Sequence, residues 1–202
     1  MRGSATSDSE PRARLLLSAR EEFLAHGFER ASLRRICGKA GVTTGAVYFF
    51  FQGKEDLFVH LVKGTAERLT QLGRDLALAE LETPDIGPSC DMQLMAFLYR
   101  HREEALLLLE KAQGTCFAGF SQAFFAQVRH AFALFFQRYG AGDVDPELPR
   151  LLAEMRIQGI LELLRGDYTM DRILELTRLT GIYADGGFRA LAADLQRQQK
   201  NG

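Results

Sequence analysis

The sequence has no tryptophan, only three cysteines and only five prolines, and each scarcity excludes something. Cys37, Cys90 and Cys116 lie far apart and form no CxxC pair. That argues against a disulfide framework or a zinc site, and for reduced thiols in a cytoplasmic protein. No stretch approaches the roughly 18 consecutive apolar residues of a membrane span. The polar segment from Met1 to Pro11 lacks the apolar core of a secretion signal and reads as a disordered leader, residues 1–11. The four histidines, at 26, 60, 101 and 130, have no metal-ligand spacing. There is no GxSxG elbow, no phosphate-binding P-loop and no glycine-rich dinucleotide turn. No catalytic residue, metal or cofactor is therefore expected.

What is present is helical punctuation and an uneven distribution of charge. The net charge is −1, yet residues 1–54 hold nine basic and five acidic side chains, a net of +4 that leaves −5 on the remainder. A basic head on an acidic body suits a protein of which one end meets phosphates. Leu16, Ala19, Phe23 and Leu24 form a helical stripe that Gly27 is placed to end. Short helices follow from Ser32 to Ala40 and from Thr43 to about Phe50, and a long one runs from Lys54 toward Leu81. Thr83 to Ser89 reads as a loop. Helices then fit 89–99, 101–113, 118–139, 147–166 and 169–183, with Asp185-Gly186-Gly187 as a possible break before a last helix over 188–198. The expected fold is all-α: a three-helix DNA-binding domain over 12–54 and a larger helical domain over 55–202.

The stretch SLRRICGKAGVTTGAVYFFFQGK, Ser32 to Lys54, carries the functional signal. Two short helices flank Gly41, which supplies the permissive backbone of a sharp turn. Leu33, Ile36, Ala40, Val42 and Val47 have the spacing to pack both helices on the first one. The second short helix then presents Thr43, Thr44, Gly45, Ala46 and Tyr48 outward. Small outward residues let a helix sit deeply in a major groove about 12 Å wide. Hydroxyls can reach phosphates, and Ala46 can meet a thymine methyl. Lys54 at a helix N-terminus adds charge where backbone amides already favour anions.

Residues 12–58 resemble the N-terminal domain of the tetracycline-repressor (TetR/AcrR) family. The matching elements are Phe23-Leu24-Ala25-His26-Gly27-Phe28, Leu33-Arg34-Arg35-Ile36, Ala40-Gly41-Val42-Thr43, Gly45-Ala46-Val47-Tyr48 and Phe51-Gln52-Gly53-Lys54-Glu55-Asp56-Leu57. The resemblance implies that Arg34, Thr44, Gly45 and Ala46 face bases and that Thr43, Tyr48 and Lys54 contact phosphates. Ser32 and Phe49 complete the DNA-facing candidates. Two departures stand out: Phe50 occupies a position often polar in the family, and Cys37-Gly38 replaces a more helix-favouring pair.

One such unit binds few phosphates, so the expected partner is a palindromic operator in double-stranded DNA, read by a homodimer. Leu152, Met155, Gly159 and Leu163 on one helix, with Ile173, Thr177, Gly181 and Ala184 on the next, are the candidate dimer face. Pairing them gives a four-helix bundle, as the resembling family does. The middle helices are more aromatic than a bundle requires. Met92, Met95, Tyr99 and Phe124, with Glu110, Gln113, Phe117 and Phe120, are the candidate wall of a pocket for a small hydrophobic or aromatic effector that relieves repression. Two other readings are a redox-responsive regulator using Cys37 and a helical adaptor without sequence preference.

Overall fold

The computed structural model describes residues 5–83, 87–139 and 144–201. Within them the chain is helical and has no strand. The helices are α1 (Ala5–Arg30), α2 (Leu33–Ala40), α3 (Thr44–Phe50), α4 (Lys54–Glu82), α5 (Gly87–Arg100), α6 (Arg102–Glu110), α7 (Phe120–Tyr139), α8 (Glu147–Arg165) and α9 (Met170–Asn201).

Two boundaries differ from those read in the sequence. Helix α1 begins at Ala5, so most of the stretch read as a leader is helical and Pro11 lies inside the helix; residues 1–4 lie outside the described residues. An ion pair one turn apart, Glu10 to Arg14 at 3.0 Å, supports that first part. At the other end α9 runs through Gly186-Gly187 without a break. Each glycine costs about 1 kcal/mol of helix propensity relative to alanine. Phe188 offsets this by packing edge-on against Phe135 and Phe136, with ring centroids 4.7 and 5.0 Å apart.

The chain forms two compact units. The first takes the described residues up to Arg68 together with His101–Ser121, and the second takes Leu69–Arg100 and the residues from Gln122 on. The first is therefore larger than the segment 12–54, because α6 supplies part of its core. Leu107, Leu108 and Ala112 are buried with Leu15, Ala19 and Phe23. Arg20 pairs with Glu103 at 2.9 Å and Glu104 at 3.3 Å, and the Phe28 N–H donates to the Lys111 carbonyl. Three phenyl rings, Phe23, Phe28 and Phe58, meet at centroid distances of 5.3 to 5.8 Å in the middle of this unit.

In the second unit α5 packs closely on α9: a Cβ at Gly181 would sit 3.1 Å from the Pro88 Cβ. Ile173 and Thr177 are buried on the same face of α9, about two turns and one turn before Gly181. Tyr99 of α5 donates to the Tyr168 carbonyl just before α9 at 2.9 Å, and Tyr139 at the end of α7 donates to the Leu81 carbonyl near the end of α4 at 2.6 Å.

Candidate nucleic-acid interface

The turn between α2 and α3 follows from its residues. Ser32 is the N-cap of α2, its hydroxyl accepting from the Arg35 N–H. Gly41 adopts φ 68°, ψ 34°, the left-handed conformation that ends a helix without a Cβ clash. Its N–H donates to the Gly38 carbonyl at 3.3 Å and that of Val42 to the Cys37 carbonyl at 3.0 Å, a Schellman closure. Thr43 then caps α3, its Oγ1 accepting from the Ala46 N–H at 3.3 Å.

Helix α3 is held from one side only. Val47 is fully buried and Phe51, just past the helix, nearly so. Phe51 lies edge-on to His60, under the Arg12 guanidinium. Everything else on α3 faces out or lies at the rim. Thr43, Thr44 and Gly45 are exposed, Ala46 is half-buried, and Tyr48 and Phe49 are 63% and 73% exposed. Phe50 packs edge-on against Phe49 at 4.8 Å and leans on the core, which accounts for an aromatic ring at a position often polar in the resembling family. A seven-residue helix with two exposed aromatic rings and four small or hydroxyl residues at its start is unlike a packing element, which would bury the rings.

The basic residues divide by role. Arg35 donates its Nε to Glu22 at 2.7 Å and its Nη2 to the Arg30 carbonyl at 2.9 Å, while Glu22 also accepts from the Ser32 N–H at 3.0 Å. The Glu22 side chain is 11% exposed. Burial alone would raise its carboxyl, but the bonds from Arg35 and Ser32 outweigh this and hold it below its ordinary value. Lys39 pairs with Glu21 and Arg20 with α6. Lys54, expected at a phosphate, has its ammonium elsewhere. It donates to the carbonyls of Phe28 at 2.8 Å, Glu29 at 3.2 Å and Ala31 at 3.2 Å, and lies 4.3 Å above the Phe28 ring. Three donors meet three acceptors, closing the last turn of α1, which Gly27 at φ 70° sets off from the regular helix before it. Arg34 is exposed and has no ion pair among the described residues. Sequence alone could not separate Arg34 from Arg35, because adjacent helical residues differ by about 100° of azimuth and only the position of Glu22 decides which one is taken.

Cys37 is buried, and its thiol is pushed above its ordinary value by burial, against a lowering hydrogen bond from Thr44. That disfavours the thiolate a redox switch needs.

The residues expected around an effector fall in both units. Glu110, Gln113, Phe117 and Phe120 belong to the first, where Phe117 and Phe120 pack on the core of the head. Met92, Met95, Tyr99 and Phe124 belong to the second, which contains two cavities of about 90 and 60 Å³. Of those four only Phe124 lines either of these two; Met95 is plain core and Tyr99 is engaged with Tyr168. Phe132, an aromatic residue of the same middle helices, lines both, and the walls of the larger one are completed by Phe135, Phe136 and Phe188, with Arg156, Glu80 and Asp91. The aromatic stripe of α7 was the sequence signal for Phe132, Phe135 and Phe136; Phe188 of α9 and the ion cluster had none, the members of the cluster lying 11 and 65 positions apart.

The expected dimer face also divides. Ile173, Thr177 and Gly181 are buried within their own unit, and Thr177 donates to the Ile173 carbonyl, so these three do not form an outer surface. The exposed apolar residues are Leu151 and Met155 on α8, and Leu179, Ile182 and Tyr183 on α9. Gly159 and Ala184 are exposed beside them, and Leu152 and Leu163 are half-buried. The apolar stripe of α9 is wide enough to supply both faces, and only the place of α5 decides which is inside.

Residues 15–61 match the family described as "Bacterial regulatory proteins, tetR family". The chain is 38% identical over 79 residues to an HTH-type transcriptional regulator of Bacillus subtilis, YdgC, covering 39% of this chain and 40% of that protein. It is 39% identical over 62 residues to the HTH-type transcriptional repressor BepR of Brucella suis, covering 31% of this chain and 30% of that one. The matched stretch thus spans well under half the length of these curated relatives. Among solved structures the fold is similar to NalD of Pseudomonas aeruginosa, with a TM-score of 0.54 and 22% identity over 89% of this chain and 97% of that one. A regulator from Aquifex aeolicus is also similar, with a TM-score of 0.52 and 19% identity over 84% and 96%.

Proposed function

We propose that this chain, whose head belongs to the bacterial tetR family of regulatory proteins, is a sequence-specific DNA-binding repressor that works as a cytoplasmic homodimer without enzymatic activity. The observation that carries the reading is the outward face of α3. Thr44, Gly45 and Ala46 at its start are small enough for close approach to base edges, and Thr43, Tyr48 and Phe49 flank them where a groove wall would lie. Arg34 joins them from α2 as an exposed cation with no ion pair among the described residues, and Ser32 contributes by capping α2. Lys54 serves this surface indirectly, by holding the last turn of α1.

Two heads are needed for a palindromic operator, with half-sites about 34 Å apart or a multiple of that. The surface that supports pairing is the exposed set Leu151, Met155 and Gly159 with Leu179, Ile182, Tyr183 and Ala184. The cavities of the second unit support an effector site whose occupation favours a DNA-incompetent arrangement. No helix among the described residues is long and apolar enough to cross a membrane. Some relatives carry the word repressor in their names, which agrees with the direction of control proposed here. The deciding experiment is selection of binding sites from random duplexes. Enrichment of an inverted repeat, with affinity falling steeply as salt rises, supports the reading; recovery of no common motif overturns it.

A further inference from the structure

The two cavities of the second unit share a wall formed by Glu80, Ala131, Phe132 and Arg156, and that wall is charged. Arg156 of α8 donates to Glu80 of α4 at 3.2 Å and to Asp91 of α5, and its guanidinium lies 5.3 Å from the Phe132 ring centroid. The three side chains are only 25%, 18% and 15% exposed. Asp185 also lines the larger cavity, paired at 2.9 Å with Arg189, which does not line it. Three carboxylates therefore border a space into which one guanidinium reaches, and that guanidinium is already shared between two of them.

The uncharged lining of the larger cavity includes four phenyl rings, Phe132, Phe135, Phe136 and Phe188, beside small residues such as Gly87, Ala131 and Gly181. The face of a phenyl ring attracts a cation, more strongly where water is excluded. A neutral apolar ligand would fill the space without using the excess negative charge. An anion would find Arg156 already neutralised and would face the carboxylates at close range, a like-charge repulsion that disfavours it. A cation is the charge type that both the carboxylates and the rings favour.

We propose that this site takes a monovalent organic cation with an aromatic or branched apolar body. Its ammonium sits in the larger cavity, against Glu80 and Asp91, and its body lies among the phenyl rings. The inference rests on the reading of the second unit as the effector-binding part and specifies the effector's chemistry. Arg156 occupies the same pair of carboxylates that the ligand uses, so it acts as a built-in competitor that keeps the acids satisfied while the site is empty.

Three probes of similar size and different charge test this with the full-length chain: phenethylamine, phenethyl alcohol and phenylacetate, titrated calorimetrically at neutral pH. The amine is expected to bind at least about tenfold more tightly than the alcohol, the usual scale for a charge-assisted bond, and phenylacetate more weakly than either. Asp91→Asn should reduce amine affinity about tenfold while leaving the alcohol unchanged. Because that variant also disturbs Arg156, Arg156→Met provides an independent arm: it leaves both acids unpaired, so amine affinity should rise and the amine should restore the lost melting temperature. Equal affinity for amine and alcohol, a preference for phenylacetate, no binding by any probe, or no gain in Arg156→Met overturns the proposal. Duplex binding measured on the same sample separates the two readings. A chain that binds its selected duplex without preferring the amine refutes the cation and leaves the repressor standing. One that prefers the amine and binds no duplex does the opposite.

Discussion

At the scale of single residues, the head depends on two charged groups that do not need to touch DNA. Lys54 neutralises the carbonyl end of α1 with all three of its donors. Lys54→Met should therefore destabilise the head by about 2 kcal/mol, the scale of hydrogen bonds to a charged group, seen as a lower melting temperature. In the folded variant the slope of log affinity against log salt should be unchanged; a slope smaller by about one would return Lys54 to a phosphate. Glu22 joins α1 to α2 through Arg35 and Ser32, and its carboxyl is held below the ordinary value of 4.5. A depressed carboxyl contributes stability that is fully present above its unfolded value and is lost as pH falls through the folded one. Thermal melts should show a loss below about pH 4.5 that is smaller in Glu22→Gln, and that variant should be less stable at neutral pH. An acid limb of equal steepness in both proteins would remove Glu22 from this role.

At the scale of elements, the geometry of α2 and α3 rests on one backbone conformation. A Cβ at Gly41 would meet nothing within 4 Å, so the cost of replacing it lies in the left-handed φ alone. Gly41→Ala should cost about 1–2 kcal/mol, and Gly41→Asn less, because asparagine tolerates that region. Chemical denaturation measures both; equal losses would show that packing and not the backbone decides. Capping, the glycine turn and the single buried Val47 were all legible in order along the chain because each acts within four residues. The division between Arg34 and Arg35 was not legible, since it depends on Glu22, a residue of another helix. The continuity of α9 through Gly186-Gly187 was also hidden, because the rings that hold it, Phe135 and Phe136, lie about 50 positions away.

At the scale of the whole molecule, the proposed pairing surface and the proposed effector site both draw on helices of the second unit. Met155, Ile182 and Tyr183 are 64%, 53% and 77% exposed, so a polar residue there costs the single chain little. Ile182→Asp should leave monomer stability within about 0.5 kcal/mol and shift the protein to monomer in sedimentation. Affinity for an inverted repeat should fall while affinity for a half-site is kept. An unchanged dimer would move the interface elsewhere. Ile173, Thr177 and Gly181, on the same helix, are buried against their own unit, and substituting them would test folding and not assembly.

The sequence by itself determined the all-helical class, the turn around Gly41, the helix that presents Thr44 to Phe49 and the concentration of basic residues in the head. These are properties of periodicity, capping and charge count, which a chain carries in any arrangement. Only the tertiary structure decided which charges are already spent, that α6 completes the head's core, which stripe of α9 is outside, and that Arg156, Glu80 and Asp91 meet at the wall of a cavity. Those facts depend on contacts between residues distant in the chain. One-dimensional order does not encode such distances, because the same helical stripes can pack in several registers, and burial and ion pairing select one.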